Sequence, residues 1–384
     1  MLFVEIFLTA LALALTLPFV RWRWYWRGLA ALGMLCCAFK FHILYLLSGN
    51  SFSPAIPFWL QAGSGWAFAG FFIMMGFCIF NVAGWTLFWL CRRFFFRKPG
   101  GFPRRLCAFG NLACALLAAV ISAAGCVNGM KLPEVRVRRL FFPNLPAAAE
   151  GFRIVVISDL HTTYTTDAGR AAEIVRMANG CGGDVIVCTG DNYDGPTADI
   201  RPKLEALHEL RAPLGVLGVT GNHEYYVEKE EMAKWMEFYA ECGIEMLENR
   251  RIDFPEREIS IGGVPDELGY PDVASVFVGA PAGYFRVLLA HRPKIAPEAA
   301  AAGADLQISG HTHGGMIPGL AMLVRLFNGG MDSGIFRKCG ITVAVCNGAG
   351  IWSGFPLRIG CPTEIMVLEL HRGGEGARAA AGSR

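Results

Sequence analysis

The chain has 384 residues, enough for more than one domain, and is 53% hydrophobic with only 17% charged residues. Its net charge of +3 is too small for a nucleic-acid-binding protein, and no basic face clusters in the second half. The apolar excess is uneven: Glu5 is the only acidic residue before Glu134, whereas acids and bases mix freely after it. That shift divides the chain into a membrane part and a water-soluble part.

Four apolar runs, residues 2–20, 28–47, 65–90 and 106–127, each approach or exceed the roughly 20 residues a helix needs to cross a bilayer. They define a four-helix transmembrane region, 1–127. The first run has no basic segment ahead of it, so it is expected to be a span rather than a cleaved leader. Arg21, Arg23 and Arg27 follow the first run, and Arg92, Arg93, Arg97, Lys98, Arg104 and Arg105 separate the third from the fourth. The loop 48–64 has no charge. By the positive-inside rule the first and third loops are cytoplasmic, and everything after Val127 lies outside. Lys131, Arg136, Arg138 and Arg139 run against this assignment. The expectation is a multi-pass protein of the cytoplasmic (inner) membrane with an extracytoplasmic second half. His42 is read as the one ionisable residue within the spans, packed rather than part of a relay, so the spans anchor rather than transport.

The thirteen cysteines show no CxxC spacing after Cys126, and so neither a zinc ribbon nor a disulfide framework. Residues 128–150 read as a linker and 371–384 as a disordered tail rich in Gly, Ala and Arg. Between them, 151–370, apolar strands alternate with helical patterns. A strand at 153–158 ends in Asp159-Leu160-His161, and a helix follows from about Asp167 to Asn179. A strand at 184–189 ends in Gly190-Asp191-Asn192-Tyr193-Asp194, followed by a helix at about 198–211. A third, 214–220, ends in Gly221-Asn222-His223-Glu224, and a helix covers about 229–242. This is α/β organisation, in which ligands gather beyond the carboxyl ends of strands. Shorter strand-like pieces come next: 244–247, 258–264, 285–290, 304–309, 341–346 and 364–370. One ends in His291 and one in Gly310-His311-Thr312-His313-Gly314-Gly315, while 316–340 shows no clear period.

Five of the eight histidines fall in these strand-end clusters, together with Asp159, Asp191 and Asn222. Each cluster alone has an ordinary explanation: Gly-Asp-Asn is a common turn, and Asn-His-Glu suits a helix N-cap. Together, carboxylates, imidazoles and one amide oxygen suit a borderline divalent metal such as manganese, iron or zinc. Two such ions about 3.5–4 Å apart, sharing a carboxylate, clamp both oxygens of an in-line displacement at phosphorus.

The ordered series Asp159-x-His161, Gly190-Asp191-x-x-Asp194, Gly221-Asn222-His223-Glu224, His291 and Gly310-His311-x-His313 resembles the calcineurin-like metallophosphoesterases. Ile157-Ser158-Asp159-Leu160-His161, the glycine-flanked double-histidine loop and Arg358-Ile-Gly-Cys-Pro-Thr-Glu-Ile365 are similar to its bacterial membrane-associated branch. Met316 and Thr363 depart from that branch's usual Gln and Pro, which bears on substrate contacts near Met316 rather than on the metal ligands. The resemblance covers about 151–370 and implies a four-layer αββα sandwich. It implies that Asp159, His161 and His313 hold one ion, that Asn222, His291 and His311 hold the other, and that Asp191 bridges them. It implies that His223 is the general acid, oriented by Glu224, with Asp194 in support. Two divalent ions, manganese favoured over iron or zinc, and hydrolysis of a phosphate mono- or diester by a water activated between them are the corresponding expectations. The anchor and the apolar stretch 320–327 suggest a lipid-linked substrate. The alternative is a catalytically silent metal-binding sensor or scaffold at the membrane. The sequence points to no nucleic acid and to no protein partner.

Overall fold

The computed structural model describes residues 2–19, 23–51, 53–95 and 101–373. Arg21, Arg97, Lys98 and the tail beyond Gly373 lie outside the described residues. Two compact units emerge, one of Met1–Asn128 with Ser353–Leu357, the other of Gly129–Trp352 with Arg358–Arg384.

The first unit contains α1 (Leu2–Thr16), α2 (Trp24–Ala38), α3 (Lys40–Ser48), α4 (Phe58–Phe94) and α5 (Arg104–Met130). Among the described residues three helical segments are long and apolar enough to cross a membrane: Leu2–Phe19, α4 with 37 residues and α5 with 27. The pair α2 and α3 meets at 72° about Phe39 and makes a fourth only if taken as one broken span. His42 is not the lone ionisable group expected here. Its Nδ1 lies 2.8 Å from Glu5 Oε1, and Lys40, read over in the apolar run, is 4% exposed. A charge in an apolar bundle must find partners, and these three groups, one acid and two bases, have them.

The second unit is built on two mixed six-stranded sheets. In chain order it contains β1 (Glu134–Phe142), β2 (Phe152–Ile157), α6 (Ala168–Gly180), β3 (Val185–Cys188), α7 (Thr197–Leu204), β4 (Val216–Gly218), α8 (Lys229–Glu241), β5 (Ile244–Met246), β6 (Arg250–Phe254), β7 (Ile259–Gly263), α9 (Val273–Val276), β8 (Phe285–Leu289), α10 (Ala296–Ala301), β9 (Leu306–Ser309), α11 (Pro318–Phe327), β10 (Gly334–Lys338), β11 (Ile341–Val345) and β12 (Glu364–Arg372). The first sheet has the order β1-β12-β2-β3-β4-β5, the second β10-β11-β9-β8-β7-β6. Strands β2, β3, β4 and β5 run parallel, as do β7, β8, β9 and β11.

Strand periodicity sorts the core. Ile154 and Val156 of β2 share a buried cluster with Ile259, Val287 and Ile308 of the second sheet. Val155 and Ile157, alternating with them, turn to Ile174 and Val175 of α6 and Trp235 of α8. Both faces of β2 are therefore apolar, which is why Phe152–Ile157 reads as a continuous hydrophobic run. Each such side chain contributes roughly 1.5–3 kcal/mol by leaving water.

Three expectations are corrected. The linker 128–150 contains the end of α5 and the whole of β1, which pairs in parallel with β12 from Glu134↔Glu364 to Phe142↔Arg372. Its alternating Val135, Arg136, Val137, Arg138 was the period-2 signal of an edge strand, masked by the charges. His371 and Arg372, assigned to the tail, close β12. Glu150 holds them, with His371 Nδ1 at 2.7 Å and the Arg372 amide donating at 2.7 Å. The stretch 316–340 contains α11 and β10.

Candidate metal centre

Each cluster singled out from the sequence begins just past the carboxyl end of a strand. Asp159 and His161 follow β2, Asp191 follows β3, and Asn222 with His223 follows β4. His291 follows β8, and His311 with His313 follows β9. The two sheets thus converge their loops on one centre.

The local backbone is unusual. Asp159, His161, Asp191, His311 and His313 have φ values of 52°, 44°, 56°, 69° and 49°. The left-handed region costs a side-chain-bearing residue on the order of 1–3 kcal/mol, so the surroundings must enforce it. Loop-to-loop hydrogen bonds do so. The Asp159 amide donates to Gly190 O at 2.9 Å, and the His161 amide to Asp191 O at 3.0 Å. Two glycines permit the close approach: a Cβ on Gly310 would lie 2.3 Å from Asp159 Oδ2, and one on Gly221 2.2 Å from Asp191 Oδ1.

The side chains form two linked groups. In the first, His161 Nε2 lies 3.1 Å from His313 Nε2, and Asp159 Oδ1 lies 3.9 and 3.6 Å from these two nitrogens. In the second, His291 Nε2 lies 3.1 Å from Asp191 Oδ2 and 3.2 Å from His311 Nδ1. Asp191 touches both, because its Oδ2 is also 3.7 Å from His161 Nε2. Within each triad the donor atoms lie within 4.8 Å of one another.

Three features fit this cage to divalent cations. His291 Nδ1 donates to Thr189 O at 2.7 Å, which leaves the lone pair on Nε2 facing inward. His161 Nδ1 faces the Asp194 carboxylate at 3.1 Å, with the same consequence for its Nε2. Asn222 donates from Nδ2 to Tyr226 Oη at 3.1 Å, while its buried Oδ1 has no hydrogen-bond partner among the described residues. Among the described residues, the Oδ1 of Asn222 and the inward-facing ring nitrogens of His161 and His291 are groups that a metal ion would satisfy.

His223 stands beside the first group, its ring 4.6 Å from that of His161. Its Nδ1 is 2.5 Å from Asp194 Oδ1, and its amide donates to Asp191 Oδ1 at 2.8 Å. Burial opposes ionisation of both partners, but their mutual attraction outweighs it. His223 is raised to about 9, and Asp194, next to His223 and His161, falls to about 2. Burial drives His311 and His313 well below the usual imidazole range, reinforced by neighbouring His291 and His161 respectively. Both shifts favour the neutral ring, the form in which an imidazole ligates a metal.

The resemblance gives the orienting role to Glu224, whereas the carboxylate that meets the His223 imidazole in the structure is that of Asp194. Glu224 instead accepts the backbone amides of Gly221, Asp191 and Asn192 at 2.7, 2.9 and 2.9 Å, tying two strand-end loops together. Sequence reasoning assigned no role to Arg358, which is 3% exposed, donates to His313 O at 2.5 Å and lies 3.1 Å from His313 Nδ1. The available signal was a charged residue in a run of apolar residues, glycine and proline. Trp352 was missed as well. Its ring stacks on that of His313 at 6.2 Å and 12°.

Residues 152–315 match the calcineurin-like phosphoesterase family. The chain is 33% identical over 271 residues to a transmembrane protein with metallophosphoesterase domain of Danio rerio, covering 66% of this chain and 61% of that protein. It is 29% identical over 270 residues to the uncharacterized metallophosphoesterase Cj0846 of Campylobacter jejuni, covering 68% and 69% of the two chains. An uncharacterized metallophosphoesterase of Aquifex aeolicus is 30% identical over 236 residues, 59% of this chain and 87% of that one. The chain thus spans about 61% of the length of the vertebrate relatives it matches. Motif order, the clustered donors and these relatives agree: the chain belongs to the calcineurin-like metallophosphoesterases.

Proposed function

We propose that the protein is a membrane-anchored phosphoesterase that works with two divalent metal ions, manganese favoured. The observation that carries this reading is the shared position of Asp191 between two groups of inward-facing donors. Asp159, His161 and His313 would hold one ion and Asn222, His291 and His311 the other. When bound, the two ions would supply the charge that acidifies a water and steadies the phosphate oxygens. The chain supplies the proton. His223 Nδ1 is engaged by Asp194, so Nε2 is the atom that protonates the leaving oxygen. Full-length protein in detergent with Mn²⁺ should hydrolyse bis-p-nitrophenyl phosphate or p-nitrophenyl phosphate. Stoichiometric metal without turnover of either would favour the sensor reading.

The finer features follow the same argument. Helices α6 and α8 on one sheet and α9 and α10 on the other support a four-layer αββα arrangement. The uncharged loop 48–64 and the basic residues of the first and third loops support a multi-pass inner-membrane protein with an extracytoplasmic catalytic half. A lipid-linked substrate is supported by α11, which starts three residues after Gly315 and exposes Met322, Leu323, Leu326 and Phe327 by 54–77%. Faster turnover of a phospholipid in mixed micelles than of a soluble diester is the expected result. Equal turnover would remove the lipid from this reading.

Two neighbours of the ligands have testable roles. Asp194→Asn removes the carboxylate that raises His223, so His223 loses its proton at lower pH. The alkaline limb of the rate profile should shift to lower pH, and an unshifted limb would remove Asp194 from this role. Arg358→Met removes the donor that fixes the His313 backbone carbonyl and should loosen the loop that presents His313, weakening metal binding in a metal titration.

A further inference from the structure

Asn222 is a candidate ligand whose side chain can present the wrong atom. An amide has one oxygen, and its last torsion is broad and roughly two-fold. Half a rotation replaces the oxygen with an NH2 group, whose hydrogens repel a cation. Two of the histidines escape the equivalent error because each ring is held from behind, His161 by Asp194 and His291 by the Thr189 carbonyl. The backbone on either side of Asn222 is fixed against the Asp191 carboxylate. A Cβ on Gly221 would lie 2.2 Å from Asp191 Oδ1, and the His223 amide donates to the same oxygen at 2.8 Å. The amide at the end of the side chain needs a holder of its own.

One contact meets that need. Asn222 Nδ2 donates to Tyr226 Oη at 3.1 Å, and the other end of the amide, Oδ1, is the buried atom without a hydrogen-bond partner among the described residues. The contact is local, because His223–Tyr226 form one short 3-10 turn directly after Asn222. The two adjacent tyrosines of that turn divide. Tyr225 Oη meets Thr220 Oγ1 at 3.0 Å, whereas Tyr226 stays 52% exposed with its ring 4.8 Å from that of His223. A phenol can accept from an amide nitrogen or donate to an amide oxygen. A cation at the amide oxygen favours the first arrangement, which is the one observed.

We propose that Tyr226 is a positioning residue for one of the two metal ions: its hydroxyl holds the Asn222 amide so that Oδ1 is the atom offered as ligand. Tyr226 then does for the amide what Asp194 and the Thr189 carbonyl do for the imidazoles. The proposal rests on the two-ion reading but not on hydrolysis.

The test uses the full chain in lipid nanodiscs, with Tyr226→Phe and, as a control, Tyr225→Phe. Tyr226→Phe keeps the half-exposed ring beside His223 and deletes only the oxygen, so the fold should be retained. Mn²⁺ is titrated and the free ion followed by its paramagnetic resonance signal, which yields both dissociation constants. Turnover of bis-p-nitrophenyl phosphate is measured across the same Mn²⁺ range. Tyr226→Phe should weaken one ion by about 10–100-fold and leave the other as in wild type. Its kcat should return towards the wild-type value at saturating Mn²⁺, because His223 keeps Asp194. Tyr225→Phe should leave both ions unchanged. In an Asn222→Ala background there is no amide to hold, and Tyr226→Phe should add nothing to the Mn²⁺ titration. Two unchanged constants in Tyr226→Phe, an equal loss of both ions, the same selective loss in Tyr225→Phe, or a further loss in the Asn222→Ala background would each overturn the proposal. If wild type binds a single ion, the two-ion reading falls and takes the proposal with it. If wild type binds two ions and hydrolyses nothing, the phosphoesterase reading falls alone, and the Mn²⁺ titration still decides the role of Tyr226.

Discussion

Asp191→Asn should abolish metal retention and hydrolysis together. Asp191 lies within reach of both donor groups, 3.1 Å from His291 Nε2 and 3.7 Å from His161 Nε2. An amide of the same shape has one oxygen and no charge. It can neither bridge two cations nor offset the repulsion between them. Losing several kcal/mol of charge stabilisation at about 1.4 kcal/mol per tenfold predicts a fall of at least roughly a thousandfold in kcat/KM. Metal analysis of the purified variant should show depletion relative to wild type. A variant that kept both ions and its rate would remove Asp191 from the bridging role.

His223→Ala should separate what Asp191→Asn joins. The ring of His223 stands outside the donor triads around Asp159 and Asp191 and groups instead with His161 and Asp194, its Nδ1 2.5 Å from Asp194 Oδ1. Asp194 keeps its second partner, His161, when His223 is removed. The variant should therefore bind metal nearly as wild type does and lose about 10²–10⁴ in kcat, the range for a general acid. The loss should be smallest on substrates with nitrophenolate leaving groups, which need little protonation. Equal rates for variant and wild type on alkyl and aryl esters alike would refute the assignment of His223.

The candidate site was legible because its chemistry is local. Apolar strands that stop abruptly at Asp-x-His, Gly-Asp-x-x-Asp, Gly-Asn-His and Gly-His-x-His announce themselves, since buried parallel strands read as continuous hydrophobic runs. Six of the seven candidate ligands fall in two donor groups, and Asn222 lies beyond the end of the neighbouring strand β4. Less legible was whatever depends on distant partners. β1 reads as a linker until β12, more than two hundred residues later, supplies its hydrogen bonds. Glu224 follows His223 directly, so it looked like that residue's orienter. The turn after β4 points it at backbone amides and leaves Asp194, from another strand, to meet the imidazole. Lys40 was hidden because one charge hardly alters the hydropathy of a 20-residue window, and its carbonyl partners lie more than three hundred residues away.

The left-handed backbone at Asp159, His161, Asp191, His311 and His313 also governs how the centre can be dissected. Asparagine is among the few residues that enter this region readily, whereas alanine and the β-branched residues resist it. An alanine scan would therefore mix two effects, loss of a ligand atom and relaxation of the loop that presents its neighbours. Asparagine at the same positions keeps the turn and replaces the carboxylate or imidazole with a neutral, weaker amide oxygen. For this site an Asn scan is the cleaner instrument, and disagreement between Asn and Ala at a given position would measure how much the backbone alone contributes to binding.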